Sequence, residues 1–499
     1  MKYRDYFIRI ILAVTLLSSM NQCSKKVEEP SESKVLAKID ESVITVDEFI
    51  RRAEYTIRPP YCRGDNYIHK KIILNSLIAE KLFALEAGNP EALLQNDQYM
   101  EYIQGRKEQA MLQMYYHTQA YKHVEFDSTA FDQLYNLAGR TYRVSFFSVD
   151  DITKANLFMD RMNSPNANFE SLYEYFFGDR EIPMQEISWS KHGDDPLQAA
   201  MFSEPLQKGQ ILGPVHVEDG DYYLVIRVDG WTDRPAITET QINSRRGDVT
   251  ERLTSQKAMV IYKKHVAEIM RGKRLDFSSD TFNRIADYLA PFYLKSEQEK
   301  KEAFNKRFWE NELKTDSLMT NLDEIADYPL VRIDDETWTV ERFFKEMSIH
   351  PLVFRKREIS NREFPAQLRL AIVDMVQDKY VIREAYKLGL DKLPNVAQYT
   401  SMWEDNLLSM YQKNHYLRKK NTQNMEYLDV IERYLNPYID SLQVKYHDVI
   451  RIDTDAFEDI QLTNIDMFVV QRNVPFPVIV PNFPLLTTDN TLDYGKKIE

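Results

Sequence analysis

The sequence predicts an α+β protein, mainly helical, in which a small α+β domain is inserted into a helical lobe. Three features of the 499-residue chain predict this class. Apolar residues recur at helical spacing through most of the chain. The segment from Arg140 to Gly230 instead alternates strand-like and helix-like stretches. One strand-then-helix pattern occurs twice, once early and once late.

The first element is typical of an export signal. A basic start precedes an apolar stretch, Ile10 to Leu17, that is too short to span a bilayer. The residues that follow are polar from Cys23 onward and cannot bury enough apolar surface to fold. The sequence therefore predicts a signal peptide over residues 1–22 and a flexible tether over residues 23–34.

The position of Cys23 resembles the lipobox of bacterial lipoproteins, although Asn21 and Gln22 stand where that class prefers small residues. The resemblance implies that Cys23 carries a lipid. We therefore expect a membrane-anchored lipoprotein that faces the periplasm or the cell surface, in the outer membrane. An ordinary cleaved signal followed by a chance cysteine is the alternative.

Residues 35–137 are predicted to be helical after a strand-like opening from Val35 to Ile44. Thr45 followed by Glu48 is a capping box, which marks a helix start. A second helix is predicted from Tyr67 to Gly88, because its apolar positions have helical spacing and glycine favours a helix end.

Residues 138–232 are predicted to form the small α+β domain. Apolar and β-branched runs bounded by turn residues indicate strands, and the amphipathic stretches between them indicate helices. The predicted order is a strand Tyr142 to Val149, helices near Thr153 to Met162 and Phe169 to Tyr175, and strands Gly213 to Val217 and Tyr222 to Val228.

The rest of the chain is divided into long helices over 235–325, a second helical unit over 326–440, and short strands with a proline-rich tail over 441–499. The stretch Val331 to Phe343 matches Ala37 to Phe49 in its order of residue types. The second unit is therefore interpreted as a repeat of the N-terminal region, with chance similarity between amphipathic helices as the alternative.

Composition excludes several functions. A formal net charge of −13 argues against a nucleic-acid partner. Besides Cys23 the chain has one cysteine, Cys62, so neither an internal disulfide nor a cysteine-based zinc site is expected. No zinc-hydrolase, serine-hydrolase or nucleotide-binding motif occurs. We expect no metal, cofactor or nucleotide.

The stretch Leu206 to Val215 reads Leu-Gln-Lys-Gly-Gln-Ile-Leu-Gly-Pro-Val. It resembles the Leu-x-x-Gly-Glu-Ile-Ser-x-Pro-Val stretch of the parvulin (PpiC-type rotamase) family of peptidyl-prolyl isomerases. The helix around Leu74 to Leu82 resembles the N-terminal helices of SurA-like periplasmic chaperones and lipid-anchored foldases. Together these resemblances span roughly residues 35 to 270. They imply a helical chaperone lobe with an inserted parvulin-like domain, and unfolded or extended exported polypeptides as partners.

The chain departs from the parvulin pattern at its catalytic positions. The family has facing histidines in its first and last strands, where this chain has Phe146 and a residue within Tyr222 to Leu224. Both leading glycines of the family's Gly-Gly-x-Leu-Gly loop are missing from Met184 to Trp189. The residues expected to bind substrate are Phe146, Trp189, Met201, Phe202 and Tyr223.

These departures favour a chaperone or foldase that binds exported polypeptides with weak or absent isomerase activity. One alternative is a structural or assembly-scaffold lipoprotein with a non-catalytic parvulin-like domain, for which the proline-rich tail Val474 to Gly495 is the candidate docking strand. Another is an active isomerase with rearranged residues.

Overall fold

The structure is a computed structural model. Its described residues do not include the predicted signal peptide, Cys23, most of the tether, the turn at residues 218–221 or the strand predicted at Ile465 to Gln471. No helix among the described residues is both long and apolar enough to cross a membrane. The described residues are 34–125, 128–164, 167–189, 196–217, 222–294, 323–356, 359–420, 422, 425–462, 476 and 478–498.

Helices dominate the described chain and several small sheets accompany them, which confirms the predicted α+β class. The helix predicted at Tyr67 ends at Gly88, whose φ is 61°. The elements are β1 (Val35–Ile39), β2 (Ser42–Thr45), α1 (Val46–Glu54), α2 (Tyr67–Ala87), α3 (Glu91–Leu94), α4 (Asp97–Gln119), α5 (Ser128–Leu137), β3 (Arg140–Val149), α6 (Ile152–Met162), α7 (Phe169–Phe177), β4 (Met184–Ser188), α8 (Pro196–Phe202), β5 (Ile211–Val217), β6 (Tyr222–Asp233), α9 (Glu239–Ile269), β7 (Leu275–Phe277), α10 (Ser279–Tyr293), β8 (Pro329–Ile333), β9 (Glu336–Thr339), α11 (Val340–Ile349), α12 (Phe364–Lys387), α13 (Pro394–Leu417), α14 (Tyr427–Val430), a π turn (Ile431–Leu435), α15 (Asn436–Lys445), β10 (Ile450–Ile452), α16 (Thr454–Asp459) and β11 (Lys496–Lys497).

The β1–β2 and β8–β9 hairpins have the same local fold. Asp40 and Asp334 occupy the two turns with φ values of 53° and 52°, a left-handed conformation that aspartate tolerates better than most residues. Both hairpins have one irregular step near the start of the first strand, and both first strands bury the same positions. The two stretches that match in residue type therefore both form a hairpin with the same turn and the same burial pattern.

The helix that follows each hairpin begins in the same way. The Thr45 hydroxyl accepts a hydrogen bond from the Glu48 N–H at 3.1 Å, and the Thr339 hydroxyl accepts one from the Arg342 N–H at 3.3 Å. Each threonine satisfies an N–H that the first helical turn leaves without an intrahelical partner. Local sequence alone fixes these two helix starts.

The lobe has two halves, the elements from β1 to α10 and those from β8 to α16. Each hairpin receives its third strand from the other half. β7, which follows α9, pairs with β8 so that Leu275 lies opposite Ile333. β10, which follows α15, pairs with β1 so that Ile450 lies opposite Ile39. Both added strands are antiparallel to their neighbours, and the two halves therefore exchange strands.

The halves also exchange helices. α4 leaves the first unit and packs against α11 and α12 of the second, while α13 leaves the second unit and packs against α2 of the first. A Cβ on Gly105 would lie 2.2 Å from the backbone oxygen of Ile349, so only glycine allows α4 to pass this close to the end of α11. α4 and α13 also pack on each other at the centre of the lobe.

Two buried or half-buried lysines sit at equivalent points of this exchange. Lys81 Nζ in α2 lies 2.9 Å from Asp405 Oδ2 in α13. Lys379 Nζ in α12 lies 3.9 Å from Glu108 Oε2 in α4. Each lysine therefore faces a carboxylate on the helix that arrives from the other half, which ties the two units together electrostatically.

The described part of the C-terminal tail packs on the first unit. Asn75 in α2 donates hydrogen bonds to the backbone oxygens of Asp489 and Thr491 at 2.9 and 2.7 Å. The tail Val474 to Gly495, which is the candidate docking strand of the scaffold alternative, is thus partly built into the core. Its buried apolar side chains in this region include Phe483, Leu485 and Leu486.

The inserted domain is a four-stranded sheet in the order β4-β3-β6-β5, with antiparallel neighbours throughout. α6 and α7 cover one face and α8 lies against the other. The resemblance implies a loop over Met184 to Trp189, whereas Met184–Ser188 is the edge strand β4. Within β4 only Ile187 is buried, so the strand lacks the apolar alternation that would have predicted it.

Candidate functional site

The candidate site is the face of the inserted sheet that α8 covers. Phe146 in β3, Trp189 after β4, and Met201 and Phe202 in α8 all belong to one apolar cluster on this face. Trp189 and Phe202 meet edge to face, with ring centroids 5.6 Å apart. The structure therefore brings together four of the five residues predicted to bind substrate.

The fifth, Tyr223, lies on the opposite face of the sheet. Its ring stacks on His216 with centroids 4.8 Å apart, and it packs against the cluster beneath α6 and α7. Successive side chains of a strand point to opposite faces, so Tyr222 and Leu224 lie on the Phe146 side instead.

The register of β3 and β6 identifies the residue that faces Phe146. Its Cα partner is Ile226, whereas Tyr223 pairs with Val149. In the stretch Tyr222 to Leu224, Tyr223 pairs with Val149 and Leu224 with Ser148. Phe146 and Ile226 together offer only hydrocarbon side chains at this point of the sheet.

Burial divides the predicted residues into two groups. Met201 and Phe202 are both 0% exposed and form the floor of the cluster. Phe146 and Trp189 are only partly buried. A bound segment can therefore touch Phe146 and Trp189 directly, whereas Met201 and Phe202 support them from below.

The long helix α9 reaches this face from the lobe. The Arg252 guanidinium lies 4.5 Å from the centroid of the Trp189 ring, and the Arg252 side chain is buried. A cation over an indole face is stabilised by the ring quadrupole. Arg252 therefore fixes Trp189 against the lobe and couples the inserted domain to α9.

Two polar atoms of the face are buried and have no hydrogen-bond partner among the described residues. They are Nε1 of Trp189, which can donate, and Oε1 of Gln198, which can accept. The Gln198 amide nitrogen donates to the backbone oxygen of Ser188 at 3.2 Å, which places this side chain next to Trp189. A buried donor and acceptor in this arrangement suit the N–H and C=O groups of a peptide.

The opposite face carries charged groups that are already paired. Arg227 donates to Glu170, and its Nε lies 2.8 Å from Asp229 Oδ1. The hydrogen bond from Arg227 holds the pKa of the Glu170 carboxyl below its usual value. Ser145 donates to Asp229 Oδ2 at 2.6 Å. These contacts stabilise the sheet and leave the α8 face apolar.

The turn into β5 is tightly fitted. Gly213 has a φ of 124°, and a Cβ there would lie 2.6 Å from the backbone oxygen of Leu224. The Gly213–Pro214 peptide bond is cis. This part of the stretch that resembles the parvulin family is thus used to bring β5 close to β6.

The face can bind but offers little for acid–base chemistry. Its described side chains supply aromatic and aliphatic surface with one donor and one acceptor. The histidine that lies closest in the sheet, His216, packs with Tyr223 on the other side. Among the described residues no group of three or more His, Cys, Asp or Glu side chains could hold a metal ion.

A cleft of about 700 Å³ lies on the lobe, between α9 and α12, and not on the inserted domain. Several of its charged residues are paired, Lys273 with Asp334 at 3.0 Å and Lys387 with Glu384 at 2.6 Å. The pairing satisfies these side chains within the protein and indicates no particular ligand. The lining residues are Glu268, Ile269, Lys273, Tyr380, Arg383, Glu384 and Lys387.

Comparison with known proteins gives little guidance. No family model matches the chain, and no curated protein matches it. A solved structure, the crystal structure of foldase protein PrsA from Streptococcus pneumoniae str. Canada MDR_19A, is similar to 45% of this chain and 87% of its own, at 11% identity and a TM-score of 0.18. A likeness this slight carries no argument about function.

Proposed function

We propose that this protein is an exported chaperone or foldase of the parvulin, SurA-like type that binds extended segments of exported polypeptides. The proposal includes a lipid anchor on Cys23 and weak or absent isomerase activity. The single observation that carries it is the α8 face, where partly buried Phe146 and Trp189 lie beside a donor and an acceptor that have no hydrogen-bond partner among the described residues. Apolar surface with a few polar groups is how proteins hold a peptide without covalent chemistry.

Binding is favoured over turnover by the residues that face each other across β3 and β6. Rotation about an X–Pro bond has a barrier of about 18–20 kcal/mol, which an isomerase lowers by stabilising the twisted amide. Phe146 and Ile226 cannot donate or accept a hydrogen bond to that amide. The α8 face therefore serves recognition in this proposal.

The connection of the inserted domain to the lobe also supports the proposal. α9 continues directly from the end of β6, and Arg252 holds Trp189 against it. A segment bound at the α8 face thus lies next to the lobe, where further stretches of an unfolded chain can make contact.

The test is an aggregation assay on the full mature chain. An unfolded outer-membrane protein is diluted from denaturant with and without a several-fold molar excess of this protein, and light scattering is followed. Suppression by the wild type, reduced by Trp189→Ala, is the expected result. Normal aggregation in the presence of folded wild-type protein would overturn the proposal.

A proline-limited refolding assay is run beside it. The uncatalysed step takes tens of seconds, so even modest catalysis is visible. The proposal expects a rate close to the uncatalysed one. Acceleration like that of an intact parvulin would instead establish an isomerase that works without the histidine pair. A pull-down that recovers one folded partner and no unfolded clients would favour a scaffold.

A further inference from the structure

The two equivalent sheets of the lobe differ by one strand. In the first unit the order is β11-β10-β1-β2, and in the second it is β7-β8-β9. β11 runs parallel to β10, with Lys496 opposite Arg451 and Lys497 opposite Ile452. Among the described residues no strand pairs with the corresponding outer edge of β7.

β7 and β10 are equivalent strands, so the comparison is direct. Leu275 and Ile450 pair with the last residues of β8 and β1, and Phe277 and Ile452 pair with residues two positions earlier. A helix begins shortly after each strand. β10 pairs with β11 along its outer edge, and this pairing therefore indicates how the outer edge of β7 can be used.

Backbone groups on the outer side of β7 pair with no other strand in the parts of the chain that the structure describes. The Asp334 N–H donates to the Arg274 oxygen and the Ser278 N–H donates to the Leu330 oxygen, both at 3.0 Å. In an antiparallel pair these roles alternate along the strand, so the backbone groups of Leu275 and Phe277 point away from β8. On β10 the equivalent oxygen, that of Ile452, accepts from the Ile498 N–H at 3.2 Å.

The charged residues beside the two outer edges differ, so the edge of β7 favours a strand with charges different from those of β11. On β10, Lys496 pairs with Asp448 at 2.9 Å and Lys497 with Asp455 at 3.0 Å. Asp448 and Asp455 lie two residues before the start and three residues after the end of β10. The residues at the same positions around β7 are Lys273 and Asp280. Lys273, which also pairs with Asp334, puts a positive charge where β10 has a negative one.

We propose that the outer edge of β7 binds an extended polypeptide segment as an added parallel strand, with an acidic residue facing Lys273 and a basic residue next in sequence facing Asp280. The occupant is a segment of the client polypeptide, so this inference rests on the proposed function and names where that client is held. An exposed edge supplies affinity through main-chain hydrogen bonds and specificity through the flanking side chains.

The probe is a synthetic peptide with the sequence of Leu492 to Glu499 carrying Lys496→Glu. The chain's own C-terminal strand already pairs with β10, whereas within the described part of the chain the equivalent edge of β7 has no added strand. Hydrogen–deuterium exchange of the full chain is measured with and without saturating peptide. We expect exchange of the Leu275 and Phe277 amides to slow at least fivefold, and the same peptide without Lys496→Glu to bind more weakly.

Two variants separate the backbone from the side chain at this edge. Phe277→Pro removes an outward N–H and should weaken peptide binding at least tenfold, whereas Phe277→Leu keeps the N–H and should bind nearly as well as the wild type. Thermal melting establishes that each variant is folded. Asp280→Lys, an exposed change, should weaken the probe and favour a peptide with glutamate at both positions.

Three results would overturn the inference: amides of β7 already protected in the free protein, protection by the peptide at another segment, or equal binding by the wild type, Phe277→Pro and Asp280→Lys. The aggregation assay separates the two proposals. Suppression without peptide protection at β7 refutes the edge and leaves the chaperone standing. Protection at β7 without suppression refutes the chaperone and leaves a peptide-binding edge.

Discussion

Arg52 and Glu80 form a two-pronged ion pair in the core of the first unit. The two guanidinium nitrogens Nη1 and Nη2 lie 2.8 and 2.9 Å from the two carboxylate oxygens, and neither side chain is exposed. Arg52 also donates to the backbone oxygen of Asn482 in the tail at 3.0 Å, and Asn406 of α13 donates to Glu80 at 2.7 Å. One buried pair thus joins α1, α2, α13 and the tail.

Removing one partner of this pair is expected to lower the free energy of unfolding more than removing both partners does. Arg52→Met leaves the Glu80 carboxylate buried without its cation, which destabilises the fold by about 3–5 kcal/mol. Adding Glu80→Met to Arg52→Met removes that stranded charge and should restore part of the loss. Urea denaturation measures both. A double variant as unstable as the sum of the single ones would contradict the pairing.

Asp378 occupies the position in the second unit that is equivalent to Glu80, but the position equivalent to Arg52 is not an arginine. The residue at the position of Arg52 is Glu346, which pairs with Lys379 at 2.9 Å instead. Burial, with a smaller contribution from nearby Asp374, raises the pKa of the Asp378 carboxyl from 3.8 to about 7. This carboxyl is therefore held protonated in the folded protein at mildly acidic pH.

Asp378→Asn is expected to stabilise the protein at alkaline pH. Between about pH 4 and pH 7 the folded state keeps a proton that the unfolded chain has released, so stability falls as pH rises through this window. Above the folded pKa the wild type carries the full penalty. The variant should be more stable by about 2–4 kcal/mol near pH 8, with the gap closing near pH 4. A difference in the free energy of unfolding between variant and wild type that stays constant at all pH values would contradict this.

Lys413 is a buried amine in α13 whose ammonium lies 3.5 Å from the Tyr427 hydroxyl. Burial lowers the pKa of Lys413 from 10.5 to about 8. Between these values the unfolded chain binds the extra proton, so stability rises with pH, and below about pH 8 the penalty is fully present.

Lys413→Met should therefore stabilise the protein by about 2–3 kcal/mol at neutral pH, with the advantage shrinking toward pH 10. The matched control is Lys419→Met at an exposed position nearby, which should change the free energy of unfolding by less than about 0.5 kcal/mol. Thermal and urea unfolding measure both variants. An unstable Lys413→Met would mean that the amine has a stabilising partner.

The two faces of the inserted sheet give a matched pair of binding variants. Phe146→Ala removes half-buried aromatic surface from the α8 face and should weaken binding of a proline-containing peptide about tenfold, or about 1.4 kcal/mol. Tyr223→Ala removes a similar ring from the opposite face and should leave affinity nearly unchanged. Fluorescence anisotropy on the full chain measures both. The reverse pattern would place the binding face under α6 and α7.

Cys23→Ala tests the proposed anchor. Because one acyl chain gives only marginal membrane binding, we expect several chains on the wild-type N-terminus and their complete loss in the variant. Cell fractionation and mass spectrometry of the N-terminal peptide measure the outcome. A variant that stays in the membrane fraction as before would show that the protein is held by something other than a lipid on this residue.

Local sequence was sufficient for the elements whose cause is local. Thr45 and Thr339 cap their own helices, and Gly88 ends α2 where the apolar spacing stops. These signals act within a few residues, so the repeat of hairpin and helix could be predicted without knowledge of the fold. The same holds for the α+β class of the inserted segment, which alternates strand-like and helix-like stretches between regions of helical spacing.

The sequence alone could not predict which side chains of β6 face each side of the sheet. A strand has a period of two, and Tyr222, Tyr223 and Leu224 are all apolar enough to face a core, so the sequence alone does not say which side each one takes. Pairing with β3 decides it, because Ile226 lies opposite Phe146 and Tyr223 then falls under α6 and α7. The missed strand β4 has a related cause, since its exposed edge needs little apolar patterning.

By itself, then, the sequence determined the repeated hairpin and helix, the class of the inserted domain and the composition of its apolar face. Only the tertiary structure decided that the halves exchange strands and helices, that β10 completes the sheet of β1, and that Arg52 meets Glu80. The physical reason is that these contacts join residues far apart in the chain. Their geometry follows from the packing of whole helices and sheets, which no local propensity encodes.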